Sequence, residues 1–276
     1  MNVGIVTPGK ICPGVNTCIH QLTLWEKHRH SKVWGIVEGW KGLNYGFMDE
    51  LLVCDGHSQP GCILHTSTEP LNVKHAQRHL KHLDVLYCIG DDCVQMEAKE
   101  LADMGLGTNI VGITGFGFQS EVQEVSRYIK QAHTLAQSVH GVVFLEIAET
   151  TGKLARYASM SEPTVDVVIT PDSDEDYLFD VQHAYAMNGH CLVVVNRCSP
   201  YEHIVNTLRV YNIDVKFVKP GELVNVAVPC VFDNVTSSRI ARKAFDFAQS
   251  HINFVCDAHT ITPYADYSMK KTLVQI

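Results

Sequence analysis

The sequence predicts an α/β fold with mainly parallel sheets, divided into two lobes. Three observations lead to this prediction. Apolar runs of strand length alternate with segments of helical periodicity over most of the chain. The stretch 84–101, DVLYCIGDDCVQMEAKEL, is typical of a buried strand, a tight turn at Gly90 and a helix. A chain of 276 residues can form one large core or two modest cores, and we expect two.

The strands are predicted from short apolar runs, because strands buried on both faces of a parallel sheet are apolar throughout. The first of them, 2–6, precedes the turn-rich loop TPGKICPG, which contains two prolines and two glycines. In chain order, the predicted strands are 2–6, 32–37, 85–89, 109–113, 141–147, 165–169, 191–195 and 215–218.

The helices are predicted from apolar residues that recur at helical spacing. The longest begins near Ser120, where Val122, Val125, Ile129 and Ala132 share one face. Between strands, EGWKGLNYG alternates glycines with aromatic residues, which indicates either a place where a flat ring approaches the backbone or a surface loop over the core. The other predicted helices are 15–28, 73–83, one that follows Gly90, 151–160, 178–188, 201–211 and 235–251, before a polar tail at 257–276.

Composition excludes several classes of protein. The formal net charge is −8, and no segment concentrates Lys and Arg, so we expect no nucleic-acid partner. No apolar run approaches the length of a membrane span, and the first residues lack the features of a signal peptide. We therefore expect a cytoplasmic protein without membrane contact.

Cysteine and histidine are both frequent, and each has a simple interpretation. The ten cysteines include no CxxC pair, and several lie in apolar runs, which favours reduced, buried thiols over disulfides. His75, His79 and His82 share one face of the helix 73–83, so a metal site is conceivable there. That helix also carries Lys74, Arg78 and Lys81, which favours a solvated basic face.

The turn after the strand 85–89 is the natural candidate for an anion site. In open α/β sheets, ligands bind where a strand ends and a helix begins, since the free N–H groups of the helix attract anions. Asp91 and Asp92 occupy this turn, although a phosphate cradle favours glycines there. A carboxylate about 4 Å from a phosphate charge is repulsive by roughly 4 kcal/mol at an effective dielectric near 20, unless a magnesium ion intervenes.

Seven segments in order resemble the phosphofructokinase family, above all its pyrophosphate-dependent branch. TPGKICPGVN is similar to TxGGxCPGxN, GIVEGWKGL to GxxxGYxGL, PGCILHTST to GGTxLGTSR, and YCIGDDCVQMEA to xxIGGDGTxxGA. The remaining matches are GFGFQSEVQEVSRYIKQAHTLAQS to the family's FGFxTAV helix, GVVFLEIAETTGKLARYAS to MGRxSGxIAxxAS, and VAVPCVFDNV to RxxPxxxSDxxY. The resemblance implies two Rossmann-like lobes, a nucleotide-binding-like lobe at 1–117 plus 223–276 and a sugar-phosphate-like lobe at 118–222.

The resemblance also identifies a vestigial nucleotide or phosphate site and what it lacks. Asp92 matches the family's magnesium-binding Asp, but Asp91, Cys93 and Glu97 replace glycines and Val94 replaces a hydroxyl residue. The segment PKTIDND, with its general base, has no counterpart after the strand 109–113. Thr68, Glu149 and Val226 stand near the arginines that bind the sugar phosphate, and Arg197 stands where the family has a carboxylate. The vestigial site would comprise Gly9, Lys10, Asn16, Gly90, Asp91 and Asp92, with Asp92 as the candidate metal ligand.

Four functional hypotheses follow. The first is a catalytically inactive, phosphofructokinase-like subunit of a larger assembly. Its partners would be other proteins, or it would form a homo- or hetero-oligomer. Its location would be the cytoplasm or a large cytoplasmic or cytoskeletal assembly. It predicts no catalytic residue and no cofactor. The alternatives are an active or weakly active ATP- or pyrophosphate-dependent 6-phosphofructokinase with magnesium, a module that senses a nucleotide or anion, and an enzyme that has moved its chemistry to residues such as Asp91, Glu97, His65 and Lys10.

Overall fold

The computed structural model describes residues 1–52, 57–173 and 176–268. Contacts between Cα atoms divide the described residues into unit 1, which lies within 1–120 and 225–268, and unit 2, which lies within 121–224. The predicted lobes are 1–117 plus 223–276 and 118–222. Within the described ranges, no helix combines the length and the apolar composition needed to cross a bilayer.

Unit 1 is built on a mainly parallel sheet, as predicted. Its strands are β1 (Asn2–Val6), β2 (Lys32–Ile36), β3 (Met48–Glu50), β4 (Val85–Ile89), β5 (Asn109–Ile113), β10 (Phe254–Cys256) and β11 (Ile261–Pro263). Over the described residues their spatial order is β11-β10-β5-β4-β1-β2-β3. The two outermost pairs, β2 with β3 and β10 with β11, are antiparallel, and the others are parallel.

The helices of unit 1 cover both faces of this sheet. Alternate strand residues such as Val85 and Tyr87 pack with α1 (Val15–His28) and α9 (Val231–Phe247). The opposite set, including Leu86 and Cys88, packs with α2 (Gly39–Tyr45), α3 (Val73–Leu80) and α4 (Asp92–Asp103). The strand β4 is buried over its whole length, which explains its unbroken apolar run.

Unit 2 is a smaller parallel sheet. Its strands are β6 (Val142–Ile147), β7 (Val167–Ile169), β8 (Cys191–Asn196) and β9 (Val215–Val218), in the order β7-β8-β6-β9 over the described residues. All the pairings are parallel. The helices are α5 (Phe118–Val139), which begins at the end of unit 1, α6 (Lys153–Met160), α7 (Leu178–Asn188) and α8 (Glu202–Val210). The fold is therefore the predicted α/β architecture.

Several sequence predictions were wrong in detail. The segment 38–46 contains the helix α2 (Gly39–Tyr45) and is not a surface loop. Its glycines permit close packing, because a Cβ on Gly42 would lie 1.8 Å from the carbonyl oxygen of Val37. The last helix begins at Val231, four residues earlier than predicted, and ends at Phe247. The tail predicted at 257–276 contains the strand β11 and a 3₁₀ turn at Tyr264–Asp266, and residues 269–276 lie outside the described residues.

Candidate functional site

The candidate site lies at the carboxyl ends of the adjacent strands β1 and β4. Val6 is in register with Cys88, so the loop after β1 and the turn after β4 lie at the same edge of the sheet. This arrangement brings Gly9 and Gly90 close to one side chain, that of Val94. A Cβ added to Gly9 would lie 2.9 Å from Val94, and a Cβ added to Gly90 would lie 2.7 Å from it.

Val94 fills the space that the two glycines leave open. Its side chain is 2% exposed and lies in the first turn of α4. Glycines at such a turn normally let the backbone approach a phosphate. Here their open faces contact an isopropyl group, which offers no hydrogen bond to an anion.

Asp91 occupies the N-terminus of α4. Its carboxylate oxygen Oδ1 accepts a hydrogen bond from the backbone N–H of Val94 at 3.1 Å, which makes it the N-cap. A carboxylate in this position satisfies a free N–H group and interacts favourably with the helix dipole. The helix end that would attract a phosphate therefore already holds a negative charge from its own chain.

Asp92, the candidate metal ligand, accepts a hydrogen bond from the C-terminal segment. The hydroxyl of Tyr267 donates to its Oδ1 at 2.8 Å. Burial raises the pKa of Tyr267, and the hydrogen bond to Asp92 raises it further, so this hydroxyl stays protonated and remains a donor. Lys99 donates to the carbonyl oxygen of Tyr267 at 2.8 Å and fixes the same segment on α4.

A second tyrosine of this segment stabilises the turn through Gln95. The hydroxyl of Tyr264 donates to Oε1 of Gln95 at 2.7 Å. The amide nitrogen of Gln95 lies 3.1 to 3.2 Å from the carbonyl oxygens of Cys88, Gly90 and Ile113. Both side chains are buried, so the conformation of the turn is fixed by a satisfied polar network.

The acids of the turn do not converge on a common point. Glu97 accepts a hydrogen bond from the indole N–H of Trp40 at 2.6 Å, while Asp91 caps α4 and Asp92 contacts Tyr267. Among the described residues, no group of three or more His, Cys, Asp or Glu side chains is arranged to hold a metal ion. In this arrangement Asp92 accepts a hydrogen bond from Tyr267 and is not grouped with two further ligands, and the same finding covers His75, His79 and His82.

The remaining predicted site residues have different positions. Lys10 is exposed, and its charge acts on the Cys93 thiol in the turn. Burial raises the pKa of that thiol, and the nearby acids Asp91, Asp92 and Glu97 raise it further. The positive charge of Lys10 lowers the same pKa. Asn16 is 1% exposed, donates to the carbonyl oxygen of Gln59 at 3.0 Å and accepts from the N–H of Ile63 at 2.9 Å. Asn16 thus fixes the loop before α3 by its own hydrogen bonds.

The start of α5 shows the same pattern as α4. Asp233 of α9, 2% exposed, accepts hydrogen bonds from the backbone N–H groups of Gly117 at 3.0 Å and Ser120 at 2.7 Å, and from the Ser120 hydroxyl at 2.6 Å. Sequence reasoning did not assign this role to Asp233, because its partners are more than 100 residues away. In the resemblance to RxxPxxxSDxxY, Asp233 falls at the family's Ser and Asn234 at its Asp, so the motif did not indicate this role.

In unit 2 a carboxylate also follows β6, but it does not cap a helix, because the N-cap of α6, Gly152, receives no side-chain hydrogen bond. Glu149, which stands at an expected arginine position, accepts hydrogen bonds from the N–H and the hydroxyl of Thr151, both at 2.8 Å, just before α6. Arg197 is exposed after β8, and its charge helps to lower the pKa of Glu146. The other two residues near expected arginine positions, Thr68 and Val226, carry no charge. Val226 is 36% exposed.

Comparisons with known proteins agree on one family. The family model described as Phosphofructokinase matches residues 2–248. A curated relative from Arabidopsis thaliana, ATP-dependent 6-phosphofructokinase 2, is 30% identical over 71% of this chain and 51% of its own length. The ATP-dependent 6-phosphofructokinase of Trypanosoma brucei brucei is 25% identical over 70% of this chain and 46% of its own. The chain thus spans about half the length of the curated relatives it matches.

Solved structures show the same fold. The pyrophosphate-dependent phosphofructokinase from Marinobacter aquaeolei superposes with a TM-score of 0.79 at 15% identity, over 92% of this chain and 77% of that chain. Phosphofructokinase from Saccharomyces cerevisiae superposes with a TM-score of 0.80 at 15% identity, over 96% of this chain and 45% of that chain. At this identity the likeness concerns the fold alone.

Proposed function

Because the chain belongs to the phosphofructokinase family, we propose that it is a catalytically inactive member that serves as a structural or regulatory subunit of a larger assembly. One observation carries the proposal. Two helix N-termini at the carboxyl ends of strands are occupied by carboxylates of the chain itself: Asp91 at α4 and Asp233 at α5.

These carboxylates oppose binding of phosphate groups in two ways. They accept hydrogen bonds from the N–H groups that an incoming phosphate would need. They also repel it, because like charges about 4 Å apart cost roughly 4 kcal/mol at an effective dielectric near 20. Val94 adds a steric obstacle at the first of these two positions, since it lies beside both Gly9 and Gly90.

The loop between β5 and α5 supports the same proposal. Residues 114–117, TGFG, contain no side chain that can act as a general base. Phosphoryl transfer to a sugar hydroxyl needs a group that orients or deprotonates that hydroxyl. The loss of a positioned base typically reduces the rate by about 10²- to 10⁴-fold.

One observation favours a second candidate function. The curated relatives are named ATP-dependent 6-phosphofructokinases, so an active or weakly active ATP- or pyrophosphate-dependent 6-phosphofructokinase is the alternative. Such an enzyme requires magnesium with its phosphoryl donor. The acids of the turn would then have to leave Tyr267 and Trp40 before they could bind the metal.

A coupled assay with fructose 6-phosphate, magnesium and either ATP or pyrophosphate separates the two. We expect no turnover above that of a mock purification. Turnover that disappears in Asp92→Asn and persists in Asp103→Asn, a control at the exposed end of the same helix, would establish the active alternative. A thermal-shift series with each ligand at millimolar concentration tests the anion-sensing alternative, for which exposed Lys10 would supply a positive charge near the turn.

The assembly itself is the second part of the proposal. We expect protein partners or a homo- or hetero-oligomer, in the cytoplasm or on a cytoskeletal structure. The nucleotide-binding-like lobe and the sugar-phosphate-like lobe would keep their folds without the binding functions that the family resemblance implies. Determination of the native mass of the complex purified from its source tests this part directly, and a mass equal to that of one subunit would contradict it.

A further inference from the structure

A cleft on the outer side of α9 combines a large volume with positive charge. Its volume is about 640 Å³, and it lies in unit 1. Trp25 of α1 forms part of its wall, and His259 of the β10–β11 turn also lines it. The helix α9 contributes Arg239, Arg242 and Lys243. We call this the α9 cleft.

The α9 cleft has the opposite charge to the protein as a whole. The chain carries a formal net charge of −8, whereas the cleft has three cationic side chains and one acidic residue, Asp246. Asp246 accepts a hydrogen bond from Nε of Arg242 at 3.0 Å. Arg239 and Lys243 form no ion pair with any described residue.

This concentration of charge has a cost within α9 itself. Arg239 precedes Arg242 by three residues and Lys243 by four, so the side chains are neighbours on the helix surface. Like-charge pairs at these spacings destabilise a helix. An anion bound between them would remove this repulsion.

The spacing of the cations favours an extended chain over a compact anion. Arg239 and Lys243 are separated by four residues, which corresponds to about 6 Å along a helix axis. Side chains at alternate positions of an extended peptide lie on one side and are about 6.6 Å apart. Carboxylates at alternate positions can therefore meet both cations at once.

Trp25 provides an apolar contact beside the charges. The guanidinium carbon of Arg242 lies 5.2 Å from the centroid of the Trp25 ring and 5.6 Å from that of Phe245. Stacking against two aromatic rings holds Arg242 in place. The cleft thus presents an ordered cation and an indole wall to a ligand.

We propose that the α9 cleft docks an extended acidic segment of a protein partner, with carboxylates at alternate positions. The proposal rests on the function proposed above, because a subunit of an assembly needs such a contact. The partner segment has the form acidic-x-acidic, where x is a small or polar residue. A second copy of this chain and a small polyanion are the competing occupants.

A peptide-binding experiment tests the proposal on the full-length protein. The probe is a fluorescein-labelled Glu-Ser-Glu-Ser-Glu peptide, measured by anisotropy at low salt, and its comparison is the block peptide Glu-Glu-Glu-Ser-Ser. We expect tighter binding of the alternating peptide and at least tenfold weaker binding to Arg239→Glu/Lys243→Glu. The matched control is Lys74→Glu/Arg78→Glu, which makes the same charge reversal at the same spacing on exposed positions of α3.

Each outcome either supports or overturns the proposal. Equal loss of binding in both double variants, or equal affinity for the two peptides, would show only a response to net charge. Competition by tripolyphosphate at equal concentration of charge would favour a small polyanion. A change of oligomeric state in Arg239→Glu/Lys243→Glu, measured by native mass, would identify a second copy as the occupant.

Two further measurements keep the result interpretable. Arg239→Gln/Lys243→Gln removes the charges without reversal, and an unchanged thermal midpoint for that variant shows that it folds. The assay of phosphofructokinase activity is independent of the cleft. Turnover would therefore overturn the proposed function and leave peptide binding as a separate result, whereas absent peptide binding would overturn the cleft proposal alone.

Discussion

The hydroxyl of Tyr267 donates a hydrogen bond to the Oδ1 atom of Asp92 at 2.8 Å. This contact joins the C-terminal segment to the first turn of α4, across 175 residues of sequence. It gives Asp92 a structural partner at the position where the family resemblance implies a metal ligand. The acid of the turn is thereby part of the packing of the fold.

Tyr267→Phe tests the value of this contact. Tyr267 is 6% exposed, so Asp92 would lose a donor that solvent only partly replaces. Hydrogen bonds to charged groups contribute about 1.5–3 kcal/mol, and we expect the free energy of unfolding to fall by roughly 1–2 kcal/mol in urea denaturation. Tyr211→Phe, at a residue that is 65% exposed, is the control and should change stability little. Equal effects of the two changes would contradict the role assigned to Tyr267.

On the proposed function, Asp91 and Val94 prevent phosphate from binding at the turn, and their replacement should permit it. Asp91→Ala should cost about 1 kcal/mol as a lost N-cap, whereas Asp91→Gly should cost only a few tenths, since glycine is tolerated there. We expect millimolar pyrophosphate to leave the melting temperature of the unmodified protein unchanged and to raise that of Asp91→Gly/Val94→Thr. An equal shift for both proteins would show that these side chains do not block the site.

The Glu146 carboxylate should make unit 2 sensitive to acid. Burial acts to raise the pKa of Glu146, but hydrogen bonds from Lys219 at 2.7 Å and from Tyr201 at 2.6 Å outweigh it and lower the pKa. A lowered pKa in the folded state stabilises the fold above the ordinary value near 4.5. That contribution is lost as the pH falls from this value through the lower folded pKa.

Tyr201→Phe provides the corresponding measurement. It removes one of the two hydrogen bonds that lower the pKa of Glu146, so the pKa should rise towards its ordinary value. The free energy of unfolding should fall by about 1–2 kcal/mol at pH 7, and its decline below pH 4.5 should become shallower. The comparison is Tyr211→Phe over the same pH range, and parallel pH profiles for the two variants would contradict the role of Tyr201.

Elements that a local sequence pattern defines were predicted accurately, and elements that depend on contacts with distant residues were not. The strands β1, β4, β5 and β9 and the helices α1 and α7 have the predicted bounds, because continuous apolar runs or a regular helical period define them locally. The helix α2 was missed because its glycines serve contact with Val37, which no local pattern reveals. The strand β3 was missed because three residues on a sheet edge carry almost no periodic signal.

The candidate site was predicted in part for the same physical reason. Gly9 and Lys10 follow β1, and Gly90, Asp91 and Asp92 follow β4, so they lie at one edge of the sheet because neighbouring parallel strands place their carboxyl ends together. Their role as a ligand site stays a prediction. The partners of the acids were not predicted. Tyr267, Trp40 and the N–H groups bound by Asp233 are distant in sequence, and hydrogen bonds of this range depend on the assembled fold.

Asp233 gives the most direct test of an internal carboxylate at a helix start. It is 2% exposed and accepts three hydrogen bonds from Gly117 and Ser120. Asp233→Ala would leave two backbone N–H groups and a hydroxyl without their acceptor, and each unsatisfied buried group costs about 1–3 kcal/mol. Part of that loss is recovered by relaxation and water, so we expect a fall of roughly 3–4 kcal/mol in the free energy of unfolding.

A second substitution separates charge from hydrogen bonding at this position. Asp233→Asn keeps one oxygen acceptor and removes the negative charge at the start of α5, so it should cost less than Asp233→Ala. Urea denaturation of both variants, with the exposed Asp103→Asn as control, measures the difference. If Asp233→Asn were as stable as the unmodified protein, the charge would contribute nothing there, and the argument that internal carboxylates replace bound phosphate would fail at α5. A clear loss in Asp233→Asn together with a larger loss in Asp233→Ala is the result that the geometry predicts.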